Sequence, residues 1–312
     1  MRPDGVLAVD VGGTTIRAAA VRDDVVDCLH EVPTPAAEGP RAVLDRIGET
    51  VAAVRRAADP GAANRWTVGV GSAGVVDTRT GEVLSATESM PGWAGARLVA
   101  ELTRRLDLPV RAVNDVHAHA LGEARSGAAR HARSSLLVAA GTGIGGGIVA
   151  DGRLMAARHA AAGHIGHVPA EAARGLACPC GGVGHLEAIA SGPAVLAAFR
   201  RAGGDGVSTT RELAEAARDG DPEARAAFDR SGRALGSALG GLANVLSPEV
   251  VVVGGGLANA GDLWWPSLRR AFDDELIPAV RGLTLRPAEL GDDAALVGAA
   301  ALWQTEDLQE VL

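Results

Sequence analysis

The sequence predicts a duplicated α/β architecture in which two sheets face a cleft. The chain has 312 residues, a length that favours about two domains over one. Three apolar strands, a helix and a further buried strand follow one another near the start, and the same plan restarts at Ser135. Glycine or polar residues close most of these strands.

The first half of the chain has the pattern of an antiparallel meander followed by a helix and a strand. Short apolar runs predict strands over 6–11, 16–21, 25–29, 66–70 and 110–113. Apolar residues at helical spacing predict a helix over 41–58. A second helix is predicted over 117–125, and either Asn114 or Asp115 is well placed to cap it.

The second half repeats this alternation. Strands are predicted over 136–140, 148–150 and 250–253. The alanine-rich segment 211–246 is predicted to be helical, and a turn and a final helix follow at 291–302. We therefore expect an N-terminal domain at 1–117, a C-terminal domain at 118–297, and a C-terminal helix at 298–312 that packs back on the first domain.

The composition argues against a nucleic-acid-binding protein and against a membrane protein. The formal net charge is −8 and no long basic run is present, which argues against binding to nucleic acid. No stretch of eighteen or more residues is apolar without glycine or charge, so we expect no membrane span. The chain enters a strand pattern almost at once, which leaves no room for a signal peptide, and three cysteines cannot form a disulfide framework. We expect a cytoplasmic protein.

Three glycine clusters each follow a predicted strand. They lie at 10–15, 141–147 and 254–256. A glycine-rich backbone can approach an anion closely, and threonine hydroxyls add hydrogen-bond donors. One such cluster could simply form a hairpin turn, whereas three of them favour nucleotide binding.

Two familiar nucleotide-binding loops do not fit these clusters. Residues 141–146 match G-x-G-x-x-G, but they run into a strand and a hairpin rather than opening a helix. A Walker loop needs a lysine, and the chain has none. Backbone groups, hydroxyls and Mg²⁺ must therefore hold the phosphates, with Arg17 as a further candidate. Asp10, at a strand end beside a phosphate-sized turn, is a natural partner for hydrated Mg²⁺.

Asn114 and Asp115 lie between a buried strand and a helix. A carboxylate here can point into a cleft while the helix start fixes its backbone. Phosphoryl transfer from ATP to an alcohol needs a carboxylate near the attacking hydroxyl, and Asp115 fits that role. A plain helix cap is the other interpretation, and both stay open. His117 and His119 are interpreted as ordinary helix residues.

The segment 161–187 concentrates histidine and cysteine. His167, Cys178, Cys180 and His185 have the spacing H-x10-C-x-C-x4-H. Four nitrogen and sulfur donors satisfy tetrahedral zinc, and a closed site of four protein ligands would be structural. The alternative is two buried thiols and two hydrogen-bonded histidines. His164 and Glu187 are not needed for zinc, and both could face a substrate.

Several motifs, taken together and in order, resemble the ROK family of sugar kinases and related repressors. They are DVGGTT, GVGSAGVVD, MPGWAG, NDVHAHALGEA, AAGTGIGGGIV, CPCGGVGHLEAIASG and VVVGGGL. The resemblance implies an actin-like (ribonuclease H-like) ATPase fold, ATP and Mg²⁺ as cofactors, and a homodimer or homotetramer. It also implies phosphorylation of a hexose or hexosamine hydroxyl. Only nine residues precede Asp10, too few for the winged helix of the repressors, so we expect a kinase.

The resemblance also assigns roles to individual residues. It makes Asp115 the catalytic base and Asn114 a sugar contact, and it places Gly255 near the adenosine. The phosphate contacts it implies are Gly12, Gly13, Thr14, Thr15, Gly141, Thr142 and Gly143. Sugar contacts are further expected from His167 and Glu187. Gly74 and Ser89 are candidates too, although many glucokinases have Pro-Gly where this chain has Ala73-Gly74, and asparagine at Ser89.

Two histidines depart from the family pattern. His185 replaces the usual third cysteine, which leaves zinc two cysteines and two histidines. His164 replaces the glutamate of glucokinase-like members, and the resulting G-H-I-G-H resembles bacterial N-acetylmannosamine kinases. A neutral histidine presents one donor, one acceptor and an apolar face, which suits a sugar with an acetamido group at C2.

We therefore expect ATP-dependent phosphorylation of the C6 hydroxyl of an N-acylhexosamine, with N-acetylmannosamine as the leading candidate. A glucokinase is the alternative, in which the change at His164 is neutral. A sugar sensor without catalytic activity is a third reading. The intact Asp10, Asp115 and glycine clusters count against that reading.

Overall fold

The computed structural model describes residues 3–61, 64–87, 89–155 and 159–304. The strands up to residue 114 are β1 (Gly5–Val11), β2 (Thr15–Arg22), β3 (Val25–Pro33), β4 (Trp66–Ser72), β5 (Val75–Asp77), β6 (Glu82–Ser85) and β7 (Val110–Asn114). The helices among and just after them are α1 (Pro40–Ala58), α2 (Leu98–Leu106) and α3 (Asp115–Arg125). No described helix is both long and apolar enough to cross a membrane.

The rest of the chain repeats the alternation of strands and helices. Its strands are β8 (Ser134–Ala140), β9 (Ile144–Ala150), β10 (Arg153–Leu154), β11 (Val250–Gly254) and β12 (Thr284–Pro287). Its helices are α4 (Glu187–Ala190), α5 (Gly192–Arg201), α6 (Thr210–Arg218), α7 (Pro222–Leu246), α8 (Trp265–Glu275) and α9 (Ala294–Ala301).

Two five-stranded sheets share one strand plan. The first has the order β3-β2-β1-β4-β7, and the second has the order β10-β9-β8-β11-β12. In the first sheet β2 pairs antiparallel with β1 and β3, while β1, β4 and β7 run parallel. In the second, β8, β11 and β12 run parallel. This repeated plan confirms the predicted α/β fold.

The chain divides into two compact units. The first comprises Met1–Ser134, Gly147–Gly163 and Glu289–Leu312, and the second comprises Ser135–Gly146 and His164–Ala288. The first unit also holds three stretches that the sequence-based domains assign to the C-terminal domain, namely 118–134, 147–163 and 289–297. A boundary after residue 117 would cut α3, which the structure keeps whole in the first unit. The predicted C-terminal helix, 298–312, corresponds to α9, and its residues from 305 onward lie outside the described residues.

The core of the first unit lies on both faces of its sheet. One face buries the apolar side of α1, including Ile47 and Val51, against strand residues such as Leu7 and Val9. The opposite face packs α9 against β1 and β2. Glycine permits this close packing, because a Cβ on Gly298 of α9 would lie 1.7 Å from the carbonyl oxygen of Ala118 in α3.

A glycine stripe joins α7 to α8 in the second unit. Its members are Gly232, Gly236 and Gly240. Added Cβ atoms there would lie 2.7, 2.1 and 2.7 Å from the carbonyl oxygens of Trp264, Leu268 and Phe272, in that order. The two helix backbones therefore touch, and side chains at these positions would separate them.

The predicted helix over 211–246 is wrong in one respect, because the structure breaks it into α6 and α7. Gly220 has a φ of 109°, a conformation that favours glycine and ends a helix. Asp221 then caps α7, accepting hydrogen bonds from the N–H groups of Glu223 and Ala224, and Pro222 starts the new helix. The sequence Gly-Asp-Pro carries the signal for this break.

Candidate active site and metal cluster

The predicted catalytic carboxylates lie at the ends of neighbouring parallel strands in the first unit. Asp10 pairs in register with Gly71 of β4, and Ser72 of β4 pairs with Asn114 of β7. Asp115 follows directly as the first residue of α3. The carboxyl ends of β1, β4 and β7 thus bring Asp10, Asn114 and Asp115 to one edge of the sheet, where ligands of α/β folds bind.

Gly71, the register partner of Asp10, lies against the start of α3, where a side chain would have little room. A Cβ added at Gly71 would lie 3.0 Å from the Cβ of Ala118 and 3.5 Å from the Cα of Asp115. Any larger residue would push against the start of α3. A glycine on the middle strand therefore fixes how closely Asp115 approaches the strand end.

Asn114 is the cap of α3, which answers one question that the sequence left open. Its Oδ1 accepts hydrogen bonds from the N–H groups of Val116 at 3.0 Å and His117 at 3.2 Å. Its Nδ2 donates to the carbonyl oxygen of Gly74 at 2.9 Å and to Asp115 Oδ1 at 2.7 Å. Asn114 therefore orients Asp115 as well as capping the helix.

One carboxylate oxygen of Asp115 is held by the protein. Its Oδ1 accepts hydrogen bonds from Asn114 Nδ2 and, at 2.9 Å, from the N–H of Val116. Among the described residues, Oδ2 has no hydrogen-bond partner. Asp115 thus has the geometry of an oriented base with one oxygen free for a substrate hydroxyl.

Burial shifts the pKa values of both carboxyls upward. It raises the pKa of Asp115, although the N–H of Val116 and the nearby His119 act in the opposite direction. Burial first, and the charge of Asp115 second, raise the pKa of Asp10 to about 7, against the lowering effect of Arg17. Such groups take up a proton or a cation more readily than ordinary carboxylates do.

The turn between β1 and β2 is tight and braced. The N–H of Gly12 donates to the carbonyl oxygen of Thr15 at 2.9 Å, and the carbonyl oxygen of Gly12 accepts from Thr34 Oγ1 at 2.8 Å. A Cβ on Gly13 would lie 3.0 Å from the Cβ of Ser89. The structure thus brings the candidate phosphate turn against Ser89, while Thr14 is exposed.

Arg17 is engaged by acidic partners. It pairs in register with Asp10, and its guanidinium donates to the carbonyl oxygen of Asp292 and to Asp293 Oδ1, the latter at 3.1 Å. Its Nε lies 3.6 Å from Glu31 Oε2. Sequence reasoning missed the two C-terminal aspartates, because no spacing along the chain links them to β2. Phosphate binding by Arg17 stays a prediction.

The residues around Gly74 are fixed by a buried tryptophan. Gly74 has a φ of 95°, and a Cβ there would lie 2.5 Å from the carbonyl oxygen of Ser85. Trp93, from the MPGWAG motif, is buried and donates from Nε1 to Ser72 Oγ at 3.1 Å. Trp93 therefore supports the strand end that carries the candidate sugar contacts, a role that the motif alone did not reveal.

The candidate nucleotide residues of the second unit also come together. Gly254 of β11 pairs with Ala139 of β8, so the glycines that follow these strands are neighbours. Gly255 has a φ of 85°, and a Cβ there would lie 2.4 Å from the carbonyl oxygen of Ala140. The carbonyl oxygen of Gly141 accepts a hydrogen bond from Gly192 at the start of α5, at 2.8 Å. Thr142 is exposed beside these glycines.

The four candidate metal ligands converge. The donor atoms of His167, Cys178, Cys180 and His185 all lie within 4.8 Å of one another. Cys178 Sγ lies 3.8 Å from His167 Nδ1, and Cys180 Sγ lies 3.2 Å from His185 Nδ1. Zinc bonds of about 2.0–2.3 Å in a tetrahedron place neighbouring donors roughly 3.3–3.8 Å apart, so these two pairs are close to the spacing that the ion needs.

Backbone hydrogen bonds hold the segment of the four candidate metal ligands in place without an ion. The N–H of Cys178 donates to the carbonyl oxygen of Gly182 at 2.8 Å, and the N–H of Gly181 donates to that of Cys178 at 2.9 Å. A Cβ on Gly182 would lie 2.5 Å from the ring of His185. The cysteine turn is therefore held in the conformation that presents both thiols.

The candidate sugar residues of the second unit lie beside this cluster. His164 directly precedes a single 3₁₀ turn, Ile165–His167, that packs on the start of β9, since a Cβ on Gly166 would lie 2.2 Å from the carbonyl oxygen of Ile144. Glu187 Oε2 accepts a hydrogen bond from the N–H of Ile144 at 2.8 Å. The 3₁₀ turn after His164 and the side chain of Glu187 are thus both in contact with the start of β9.

Comparison with known proteins gives the family. A model described as the ROK family matches residues 6–306. A glucokinase of Halalkalibacterium halodurans is 32% identical over 317 residues, which cover 96% of this chain and 95% of the relative. An N-acetylmannosamine kinase of Escherichia coli is 33% identical over 306 residues, which cover 97% and 99%. A ROK family glucokinase from Streptomyces griseus, in complex with glucose and AMPPNP, superposes with a TM-score of 0.81 at 32% identity, covering 96% and 98%.

The fold and the comparisons place this protein in the class of ATP-dependent sugar kinases with the actin-like ATPase fold. The family match spans both units and all the candidate residues, and the chain therefore belongs to the ROK family. The predicted family, fold and enzyme class are confirmed. The identities of 32% to a glucokinase and 33% to an N-acetylmannosamine kinase are too similar to show which sugar this protein phosphorylates. The choice of sugar therefore depends on individual residues of the site.

Proposed function

We propose that the protein transfers the γ-phosphoryl group of ATP to the C6 hydroxyl of an N-acylhexosamine, with N-acetylmannosamine as the leading substrate. The kinase mechanism is supported by the orientation of Asp115, whose Oδ1 accepts hydrogen bonds from Asn114 and from the backbone at the start of α3. The observation that carries the sugar is His164 at the position where glucokinase-like members have glutamate.

The chemical step follows from the geometry of Asp115. Its carboxylate accepts the proton of the C6 hydroxyl while that oxygen forms a bond to the γ-phosphorus. The bond between the γ-phosphorus and the bridging oxygen breaks, and ADP leaves with the electron pair. Asn114 fixes the carboxylate so that orientation, as much as basicity, lowers the barrier. The raised pKa of Asp115 favours proton uptake.

The nucleotide is proposed to bind through backbone and hydroxyl groups. Candidates are Gly12, Gly13, Thr14 and Thr15 in the first unit and Gly141, Thr142, Gly143 and Gly255 in the second. Their support is the two braced glycine turns and the lack of lysine in the chain. Asp10 would hold hydrated Mg²⁺, which when bound neutralises charge on the phosphates. Asp10 is half-buried and its pKa is raised to about 7, mainly by burial, so a bound cation would stabilise its negative charge.

The sugar would be contacted by Gly74, Ser89, Asn114, His164, His167 and Glu187. His164 is half-buried, and its ring can offer one donor and one acceptor beside an apolar face. A glutamate at this position would only accept hydrogen bonds from hydroxyls. The histidine therefore supports a sugar with an acetamido group at C2.

We also propose a structural zinc ion on His167, Cys178, Cys180 and His185. The convergence of four donors with zinc-like spacing supports it. When bound, zinc would link the turn after His164 to the segment before Glu187. A homodimer or homotetramer and a cytoplasmic location stay predictions from the sequence and the resemblance.

A coupled assay of ADP release tests the substrate. N-acetylmannosamine, N-acetylglucosamine, mannose and glucose are compared by kcat/KM, and we expect N-acetylmannosamine to be best. Glucose as the clearly best substrate would refute the hexosamine assignment and support a glucokinase, the activity of several relatives. Failure to release ADP with all four sugars would refute the proposed hexose chemistry.

A further inference from the structure

Glu187 connects three parts of the second unit. It lies two residues after His185 of the metal cluster and is the first residue of α4. Its Oε2 accepts a hydrogen bond from the N–H of Ile144 at 2.8 Å, immediately after the glycine loop 141–143. Its carbonyl oxygen accepts from Ser191, the cap of α5, at 3.3 Å. Glu187 therefore contacts the glycine loop through its side chain and lies, along the chain, just after the four candidate zinc ligands.

The loop is shaped to receive this carboxylate. A Cβ on Gly143 would lie 2.7 Å from Glu187 Oε2, closer than real Cβ atoms approach an oxygen. A side chain at 143 would therefore push Glu187 Oε2 out of its present position. The same loop is held at its other end, where Gly192 donates to the carbonyl oxygen of Gly141 at 2.8 Å. Both ends of the loop thus depend on the segment 187–192.

The other oxygen of Glu187 is available to a ligand. Across the described ranges, Oε1 makes no hydrogen bond, and the side chain is only half-buried. A carboxylate can accept on both oxygens at once. Glu187 can therefore hold the loop with Oε2 while Oε1 receives a sugar hydroxyl.

We propose that Glu187 is a positioning residue for the glycine loop and, through its two oxygens, couples nucleotide binding to sugar binding. The coupling rests on the proposed function, because the sugar contact is part of it. The loop-positioning role does not, since the contact with Ile144 exists without a sugar. A sugar hydroxyl on Oε1 should steady the side chain that holds the loop and so tighten nucleotide binding. Because coupling between two ligands is reciprocal, the nucleotide should tighten sugar binding by the same factor.

The test is nucleotide affinity measured by calorimetry with AMPPNP and Mg²⁺, with and without N-acetylmannosamine. In the absence of sugar, Glu187→Ala should weaken AMPPNP binding about tenfold, the loss expected for a hydrogen bond to a charged group. Glu187→Gln keeps an acceptor for the N–H of Ile144, so its sugar-free affinity should stay within about threefold of the wild type. Glu171→Ala is the matched control, because Glu171 is exposed and forms an ion pair with Arg174, its neighbour on the surface.

Amide hydrogen exchange over 141–146 adds a readout that a sugar contact alone would not change. We expect faster exchange there in the alanine variant and wild-type exchange in the glutamine variant. Should the alanine variant not fold, Glu187→Asp carries the same test. Its carboxylate is one methylene shorter, so we expect at least about a fivefold loss of sugar-free affinity.

Unchanged sugar-free affinity in the alanine variant, or in the aspartate variant if alanine does not fold, would overturn the proposal. So would an equal loss in the glutamine variant. A wild-type protein that binds AMPPNP but phosphorylates no hexosamine would refute the substrate and leave the loop test valid. Nucleotide and sugar affinities that are independent in the wild type would overturn the coupling.

Discussion

Asp10 near the end of β1 and Asp115 directly after β7 lie on either side of β4, and the charge of Asp115 is the second cause, after burial, that raises the pKa of Asp10. Gly71 of β4 pairs in register with Asp10 and, as a glycine, brings no side chain against the start of α3. The protonation of Asp10 therefore depends on the charge of Asp115, at the sheet edge where phosphoryl transfer is proposed. A substitution of Asp115 should therefore also change the pKa of Asp10.

Replacement of Asp115 by asparagine should remove turnover and spare sugar binding. The amide keeps the contacts of Oδ1 but cannot accept the proton, so kcat should fall by about 10²–10⁴. Sugar affinity, measured by calorimetry, should stay within a few-fold. Asp262→Asn, at an exposed aspartate, is the control and should leave kcat unchanged. Near-normal turnover in the Asp115 variant would refute the role of base.

Replacement of Asp10 by asparagine should stabilise the protein at neutral and alkaline pH. The pKa of Asp10 is raised to about 7, so the folded protein binds its proton more tightly than the unfolded chain does. The stability of the wild type therefore falls as pH rises from about 4 to about 7. The variant avoids this cost, on the order of 2 kcal/mol at pH 8 after allowance for partial exposure.

Urea unfolding at pH 4.5 and pH 8 checks this prediction. The advantage of the Asp10 variant should be small at the lower pH and full at the higher one. Asp205→Asn, at an exposed position, should show no such dependence. An advantage that is equal at both pH values would contradict the assignment of the effect to Asp10.

Removal of Cys178 should release the proposed zinc. Metal analysis of the purified protein should find one zinc per chain, and Cys178→Ser should lose most of it because a closed site needs all four donors. His185→Cys should retain the metal, since thiolate and imidazole are both zinc ligands. Cys28→Ser is the control, because Cys28 lies on β3, in the other unit from the cluster. Equal zinc in the wild type and the Cys178 variant would refute the site.

Replacement of His164 by glutamate should move sugar preference towards glucose. The ratio of kcat/KM for glucose to that for N-acetylmannosamine should rise by about tenfold or more, because the carboxylate can accept from a C2 hydroxyl. His131→Glu introduces the same charge at an exposed position and should leave the ratio unchanged. A ratio that does not move would show that the sugar is selected elsewhere.

A side chain at Gly298 should destabilise the first unit. Its Cβ would lie 1.7 Å from the carbonyl oxygen of Ala118, so α3 and α9 would have to separate. Gly298→Ala should lower the free energy of unfolding by about 2 kcal/mol or more. At Gly241 an added Cβ meets open space in α7, and Gly241→Ala should be neutral or stabilising by up to about 1 kcal/mol. Similar midpoints for both variants would contradict this packing.

The sequence alone predicted the five strands of the first sheet and three of the five strands of the second, because strands and glycine turns leave local signals. The pattern at 110–125 predicted a strand, a cap and a helix, and the structure has β7, Asn114 and α3 in that order. The break between α6 and α7 was missed because alanine-rich helical periodicity outweighed Gly220 and Pro222. A turn signal of three residues is weak against a long periodic segment.

Contacts between distant parts of the chain could not be predicted in this way. Arg17 meets Asp292 and Asp293 some 275 residues later, and no local pattern records that pairing. The bond from Ile144 to Glu187 is of the same kind. The sequence identified Arg17 and Glu187 as candidates, but only the tertiary structure shows which of their atoms are already hydrogen-bonded.

Gly71 has a consequence for how the site exchanges protons. Gly71 pairs in register with Asp10 and brings no side chain against the start of α3. Burial and then the charge of Asp115 raise the pKa of Asp10, so loss of the Asp115 proton makes loss of the Asp10 proton harder. The pair should then lose its two protons in two steps. A titration of the two carboxyls followed by NMR would show those steps, and replacement of Asp115 by asparagine should lower the pKa of Asp10.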